Sequence, residues 1–335
     1  MNIEELRQTA SAMVAPGKGI LAMDESHPTC GKRFKALGIA ETEEMRQVYR
    51  DMLITTAGLS DYIGGAILFD ETIRQTLLDG TPFPEYMKAN GIVPGIKVDA
   101  GAKGLVGHEN EKITEGLDGL RERLAEYYTL GARFSKWRAV ITIGEHMPSW
   151  ACIEANAHAL ARYAALSQEA NIVPIVEPEV IMDGNHSIER CYEVTELAQR
   201  ITFQQLRNQG VALDGMILKP SMVISGTKAS NRADVETVAR ETVRCLLNTV
   251  PASVAGISFL SGGQSDEEAS AHLNAMHNLG VDLPWPLTFS YGRALQQASM
   301  KAWNGQPENV ANAQKILLER AENNGKAAMG QYNPK

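Results

Sequence analysis

The stretch Asp214-Gly-Met-Ile-Leu-Lys219-Pro-Ser221 predicts how the chain folds. Residues 215–219 read as a short strand, which ends there because the following proline lacks the N–H that a ladder needs. A strand that is apolar on both faces is buried on both, like a parallel strand covered by helices. Lys219 is then a buried amine that needs charged partners or must lose its charge. A neutral lysine amine is a nucleophile for carbonyl carbon.

Seven further apolar runs alternate with helical patterns along the chain. We expect strands at residues 19–24, 65–69, 93–98, 134–143, 172–179, 215–219, 256–260 and 287–290. We expect helices at residues 2–14, 43–56, 116–130, 150–169, 188–208, 234–248 and 267–279, and a last helix and tail after about residue 306.

Eight alternating strands and helices predict an α/β fold, the closed (β/α)8 TIM barrel, with an extra N-terminal helix and a C-terminal helix and tail. We expect one domain over residues 1–335. An open doubly wound sheet is the alternative fold. It usually carries a glycine-rich phosphate turn after its first strand, whereas this chain has Met23-Asp-Glu-Ser26 there.

The composition limits the classes of partner. The net charge is -8 and no run is rich in lysine or arginine, so we expect no nucleic-acid and no membrane partner. No apolar run approaches the ~20 residues that cross a bilayer. The polar, acidic start resembles neither a signal nor a transit peptide. The four scattered cysteines indicate reduced packing residues, so we expect a cytoplasmic protein unless a presequence was removed.

Charged side chains stand at the carboxyl ends of the predicted strands, where barrel enzymes have their active sites. Glu177 and Glu179 are two residues apart, as are Lys136 and Arg138, so each pair points to one side of its strand. Any one of them could be a structural ion pair. The whole set indicates a functional site, because barrel interiors are normally apolar. The set is Asp24, Lys97, Lys136, Arg138, Glu177, Glu179, Lys219, Ser261 and Arg293.

The last two strand ends carry a phosphate signal. Leu260-Ser-Gly-Gly-Gln-Ser265 can turn backbone N–H groups toward an anion and leads into a helix, and Tyr291-Gly-Arg293 adds a guanidinium. The loops after strands seven and eight are the usual phosphate site of barrel enzymes. His272 and His277 are five residues apart on a predicted helix, and no histidine or cysteine shows ligand spacing, so we expect no metal and no cofactor.

Seven motifs resemble class I fructose-bisphosphate aldolases, most closely the plastid and bacterial branch, and the likeness runs from about residue 2 to 330. The resemblance implies a metal-independent lyase of glycolysis, gluconeogenesis or the Calvin cycle. This lyase reversibly cleaves fructose 1,6-bisphosphate, a phosphorylated sugar, into dihydroxyacetone phosphate and glyceraldehyde 3-phosphate through a lysine Schiff base, usually as a homotetramer. The motifs are residues 19–26, 91–99, 136–138, 172–179, 218–223, 259–264 and 289–293.

The resemblance also implies roles for individual residues. Lys219 is similar to the Schiff-base lysine, Glu177 to the acid of carbinolamine dehydration and Asp24 to the base for the C4 hydroxyl. Glu179 is similar to the carboxylate that holds the lysines, and Lys136 to the second lysine, whose charge favours a neutral Lys219. The residues that match the ketone-side phosphate site are Ser261, Gly262, Gly292 and Arg293. Those that match the aldehyde side are Thr29, Arg33, Lys97 and Arg138.

Three alternatives remain open from the sequence. The same chemistry could prefer sedoheptulose 1,7-bisphosphate or fructose 1-phosphate. Glu177 and Glu179 could be a glycosidase pair, although such pairs usually come from different strands. A non-enzymatic scaffold would show no turnover. One departure concerns the C-terminal tyrosine with which relatives protonate the enamine. Tyr332 stands too early to match it, so we expect either a missing tail or another proton donor.

Overall fold

A closed barrel of eight parallel strands forms the centre of the computed structural model, which describes residues 1–333. The barrel strands, in the order in which they pair, are β1 (Gly19–Ala22), β2 (Ile63–Leu68), β3 (Val93–Lys97), β6 (Phe134–Ile141), β7 (Val173–Val180), β8 (Ile217–Leu218), β9 (Gly256–Phe259) and β10 (Leu287–Tyr291). β10 pairs back with β1, so the predicted barrel is confirmed. Of the expected tail, residues 334–335 lie outside the described residues.

Helices surround the barrel, and a small antiparallel hairpin of β4 (Ala102–Gly104) and β5 (Lys112–Thr114) follows β3. Across residues 1–333, no helix has the length and apolar character needed to cross a bilayer. The helices are α1 (Ile3–Met13), α2 (His27–Ala36), α3 (Glu43–Ile54), α4 (Asp70–Ile73), α5 (Phe83–Ala89), α6 (Leu120–Thr129), α7 (Trp150–Glu169), α8 (Ile188–Asn208), α9 (Val235–Thr249), α10 (Asp266–His277), α11 (Arg293–Trp303) and α12 (Val310–Ala327).

Two apolar layers follow the alternation of the strands. Ile175 and Ile217 point into the barrel, where they belong to the same cluster as Leu6 of α1, which closes the amino-terminal end. Val176 and Leu218 point outward into the layer beneath the helices. Because side chains alternate along a strand, Glu177 and Lys219 must point inward, one step further toward the carboxyl end.

Several element boundaries differ from the prediction, and two of these differences have local reasons. The strand expected at 215–219 is only Ile217–Leu218, because Leu213–Gly215 forms a 3-10 turn. The amide of Lys219 still donates to Val176 O at 2.8 Å, so Lys219 keeps the strand direction. The helix expected at 116–130 begins only at Leu120, because Gly116 and Gly119 have φ of 125° and 66°, outside the helical range.

Candidate active site

Four buried charged groups form a connected cluster inside the carboxyl end of the barrel. The Lys219 ammonium lies 3.4 Å from Glu177 Oε1, and Glu177 Oε2 lies 3.7 Å from the Lys136 ammonium. Lys136 in turn lies 2.7 Å from Asp24 Oδ2. The four side chains come from four different strands or strand ends, so barrel closure brings together groups that are far apart in sequence.

The two carboxyl groups of this cluster have opposite protonation tendencies. Burial raises the pKa of Glu177, and the opposing effect of Lys219 and Lys136 does not cancel it. Burial also acts to raise the pKa of Asp24, but the positive charges of Lys136 and Lys219 outweigh it and lower this pKa. For Lys136, burial is outweighed by Asp24 and Glu177, which raise its pKa. The cluster therefore favours an acid at Glu177, a base at Asp24 and a cation between them.

A second set of ionic contacts lies beside the cluster, and it includes a residue that the sequence analysis missed. The Arg138 guanidinium donates to Glu179 Oε2. The Lys97 ammonium lies 2.8 Å from Asp99 Oδ1, while Asp99 Oδ2 accepts from the amide of Arg138 at 3.3 Å. Asp99 therefore connects two predicted site residues. Its position two residues after Lys97, on the same side of the extended chain, was an available signal.

The predicted phosphate loop after β9 is a tight turn. The Gln264 amide donates to Ser261 O at 3.3 Å, and Gly263 within the turn has φ of 75°. A Cβ on Gly262 would lie 3.3 Å from Glu179 Oε1, so this glycine places the turn directly above the carboxylate. Ser261 itself is buried. The turn therefore lies against the carboxylate of Glu179, which pairs with Arg138 beside the charged cluster.

The predicted phosphate-binding residues after β10 lie at the start of α11, a helix that the sequence analysis did not predict. A Cβ on Gly292 would lie 3.3 Å from Ala22 O, and Arg293 begins α11. Arg293 and Arg33 of α2 line the same cavity of 210 Å³, although the resemblance assigned them to opposite ends of the substrate. Arg33 also pairs with Glu25 at 2.5 Å.

The structure does not bring Thr29 into contact with the charged cluster. Thr29 is exposed on α2, and its hydroxyl lies 3.2 Å from Ser26 Oγ. Among residues 1–333, no group of three or more His, Cys, Asp or Glu side chains is arranged to hold a metal ion. The expectation of no metal stays a prediction.

A buried arginine supports the loop that carries Asp24. Arg50 of α3 donates to Glu25 O at 2.6 Å and to Glu71 Oε1 at 3.2 Å. Arg46, one turn earlier, donates twice to Glu71, at 2.8 and 2.5 Å. The sequence offered a signal, because both arginines stand on the face of the predicted helix that is otherwise apolar.

Comparisons with known proteins show which family this chain is similar to. The family model "Fructose-bisphosphate aldolase class-I" matches residues 5–335. A probable fructose-bisphosphate aldolase class 1 of Xanthomonas campestris is 64% identical over 333 residues, which are 99% of each chain. The cytoplasmic isozyme of spinach is 50% identical and covers 98% of this chain and 92% of its own. The solved aldolase of Plasmodium falciparum is 47% identical with a TM-score of 0.98, covering 99% of this chain and 96% of its own.

Proposed function

This chain belongs to the class I fructose-bisphosphate aldolases and is a lyase that cleaves fructose 1,6-bisphosphate, and we propose that Lys219 forms the Schiff base. The observation that supports this role is the burial of the Lys219 amine against Glu177, at 3.4 Å, within a cluster of alternating charges. The names of the relatives support fructose bisphosphate as the substrate and give no support to the other sugars.

The proposed first half of the reaction forms the imine. The neutral Lys219 amine attacks the C2 carbonyl carbon, so a C–N bond forms and the carbonyl oxygen becomes a hydroxyl. Glu177, whose pKa is raised by burial, is the proposed acid: it gives its proton to this hydroxyl, which leaves as water. Lys136 lies 3.7 Å from Glu177 and stays cationic, because Asp24 and Glu177 raise its pKa.

The proposed second half breaks the C3–C4 bond. Asp24, whose pKa is lowered, accepts the proton of the C4 hydroxyl. The C4–O bond becomes a carbonyl, the bonding electrons move to C3, and the protonated imine accepts them as an enamine. Glyceraldehyde 3-phosphate leaves first. Protonation of C3 and hydrolysis of the imine then release dihydroxyacetone phosphate and the free amine.

The binding residues are proposed in two groups. Ser261, Gly262, Gly292 and Arg293 bind the ketone-side phosphate, and the turn above Glu179 supports this assignment. Lys97, Arg138, Arg33 and Thr29 bind the aldehyde side, with Glu179 holding Arg138 in place. The contact of Arg33 with the same cavity as Arg293 favours a position for Arg33 between the two phosphates.

Three properties of the whole protein are part of the proposal. We propose a single domain over residues 1–335, because one barrel and its helices account for residues 1–333. We also propose a homotetramer, from the family resemblance. A cytoplasmic location is proposed because the spinach relative is named as a cytoplasmic isozyme.

Borohydride trapping tests the central role of Lys219. In the presence of dihydroxyacetone phosphate, borohydride should reduce the imine to a stable adduct that peptide mass mapping locates on Lys219. Lys219→Ala should abolish both trapping and cleavage, whereas Lys103→Ala, on the exposed hairpin strand β4, should leave them unchanged. An adduct on another lysine, or loss of cleavage in EDTA, would contradict the mechanism.

A further inference from the structure

The phosphate turn is attached to α10 by a buried histidine. His272 Nδ1 lies 2.7 Å from Oε1 of Gln264, the last residue of the turn. His272 is 4% exposed and stands midway along α10. Because a buried side chain on a helix has little freedom, this bond fixes the Gln264 side chain relative to the barrel wall.

The protonation state of the ring makes this contact a hydrogen bond of fixed direction. Burial lowers the pKa of His272 to about 4, so the ring is neutral near pH 7. A carbonyl oxygen can only accept, so the proton of the neutral ring stands on Nδ1 and is donated to Gln264 Oε1. The amide nitrogen of Gln264 is buried and has no hydrogen-bond partner within residues 1–333. The bond to His272 is therefore what orients this amide.

The polar side-chain contacts that Arg232 and Glu268 make around the turn are exposed. Arg232 donates to Gly263 O at 3.3 Å and lies 3.6 Å from Glu268. Glu268 forms a capping box with Ser265, which accepts from the Glu268 amide at 3.1 Å. Exposed ion pairs contribute little to stability, so they hold the turn only weakly. The buried His272 contact is the firmest connection of the turn to α10.

We propose that His272 is a positioning residue for the ketone-side phosphate. It acts through Gln264, which it holds so that the Ser261–Gln264 turn keeps the conformation that presents Ser261 and Gly262 to the phosphate. This inference rests on the proposed function of that turn. It predicts that a change at His272 affects a ketone that carries a phosphate and spares a ketone that lacks one.

The test measures how much ketone is needed for half-maximal borohydride trapping on Lys219, with dihydroxyacetone phosphate and with unphosphorylated dihydroxyacetone. His272→Leu removes one hydrogen bond and should raise the half-maximal concentration of dihydroxyacetone phosphate by about threefold to tenfold. The concentration for dihydroxyacetone should not change. His272→Asn should restore the wild-type values, because the Asn Nδ2 group can donate from near the position of His Nδ1.

His277 provides a matched control. It lies on the same helix, and its Nε2 contacts Leu287 O at 3.0 Å, away from the turn. His277→Leu should therefore leave both trapping concentrations unchanged. If His272→Leu does not fold, Gln264→Ala removes the same bond from the side of the turn and should show the same selective weakening.

Two outcomes would overturn the role of His272. One is a half-maximal concentration of dihydroxyacetone phosphate in His272→Leu that stays within twofold of the wild type. The other is an equal rise of the half-maximal concentrations of both ketones. Absence of any adduct on Lys219 in the wild type would instead overturn the proposed function. The two proposals therefore fail by different results.

Discussion

At the residue scale, the site depends on how Glu177 and Asp24 differ. Both carboxyl groups are buried, and both have lysines nearby. Asp24 lies 2.7 Å from Lys136, whereas Glu177 lies 3.4 Å and 3.7 Å from its two lysines. Burial therefore dominates at Glu177 and ion pairing dominates at Asp24. A site that carries both an acid and a base near neutral pH needs such a difference.

Glu177→Gln tests the acid role. Because general acid catalysis typically contributes 10²–10⁴-fold, we expect kcat to fall by roughly 10²–10³-fold. Glu189→Gln, at an exposed position in the first turn of α8, is the control and should leave kcat unchanged. A Glu177→Gln variant with wild-type kcat would exclude this residue as the acid.

The pKa shifts of Glu177 and Asp24 predict how kcat changes with pH. A raised pKa keeps Glu177 protonated to higher pH, so wild-type kcat should fall as pH rises through it, above the usual ~4.3 of glutamic acid. A lowered pKa keeps Asp24 ionised below the usual ~3.9 of aspartic acid, so the acidic decline should lie lower than that. In Glu177→Gln the alkaline decline should disappear from the residual rate.

At the element scale, α3 supports the loop between β1 and α2. This loop carries Asp24 and leads to Arg33, and the Glu25 carbonyl within it accepts from Arg50. Arg50 is fully buried, so its charge must be balanced inside the protein, and Glu71 supplies the balance. The helix thus supports the loop that carries Asp24.

Arg50→Met should affect both stability and activity. Removing one partner of a buried ion pair costs ~3–5 kcal/mol, and we expect the low end because Glu71 keeps Arg46. Chemical denaturation should show this loss, and kcat should fall because the loop that holds Asp24 loses a support.

Arg74 provides a comparison for Arg50. It is an exposed arginine that pairs with Asp70 and Glu126, so Arg74→Met should change the free energy of unfolding by only ~0–1 kcal/mol. Equal effects of the two substitutions would show that burial of Arg50 is not what matters.

At the scale of the whole molecule, the barrel interior has two different halves. The amino-terminal half is apolar and is closed by Leu6, Ala10 and Met13 of α1. The carboxyl-terminal half holds the charged cluster. Apolar packing below and charged groups above let one end of the barrel provide stability while the other carries the chemistry.

Exposed apolar side chains on the outer surface lead to a prediction about the number of subunits. Large apolar side chains such as Val106 and Trp150 are 94% and 57% exposed. A subunit interface that buried them would gain ~25 cal/mol per Å² of apolar surface. We expect sedimentation equilibrium to give the mass of four 36.5 kDa chains. The mass of a single chain at micromolar concentration would contradict the proposed homotetramer.

The amino-acid sequence by itself determined the barrel and the inward direction of its charged residues. Eight apolar runs and the two-residue spacing of Glu177 and Glu179 are local patterns. Because side chains alternate along a strand, these patterns determine to which side of the strand each side chain points. The exact extent of elements was less predictable. The strand at Ile217–Leu218 is short because the turn before it satisfies the backbone of Gly215, whose carbonyl accepts from Gln168.

Only the tertiary structure decided which polar groups meet. The contacts of Lys136 with Asp24, of Arg50 with Glu25 and of His272 with Gln264 join different elements of the chain. The first two depend on how the barrel closes and on how its helices pack, and the third on how a loop meets the helix that follows it. Spacing along the chain encodes which way a side chain points, but the partner that it reaches is set by the packing of whole elements.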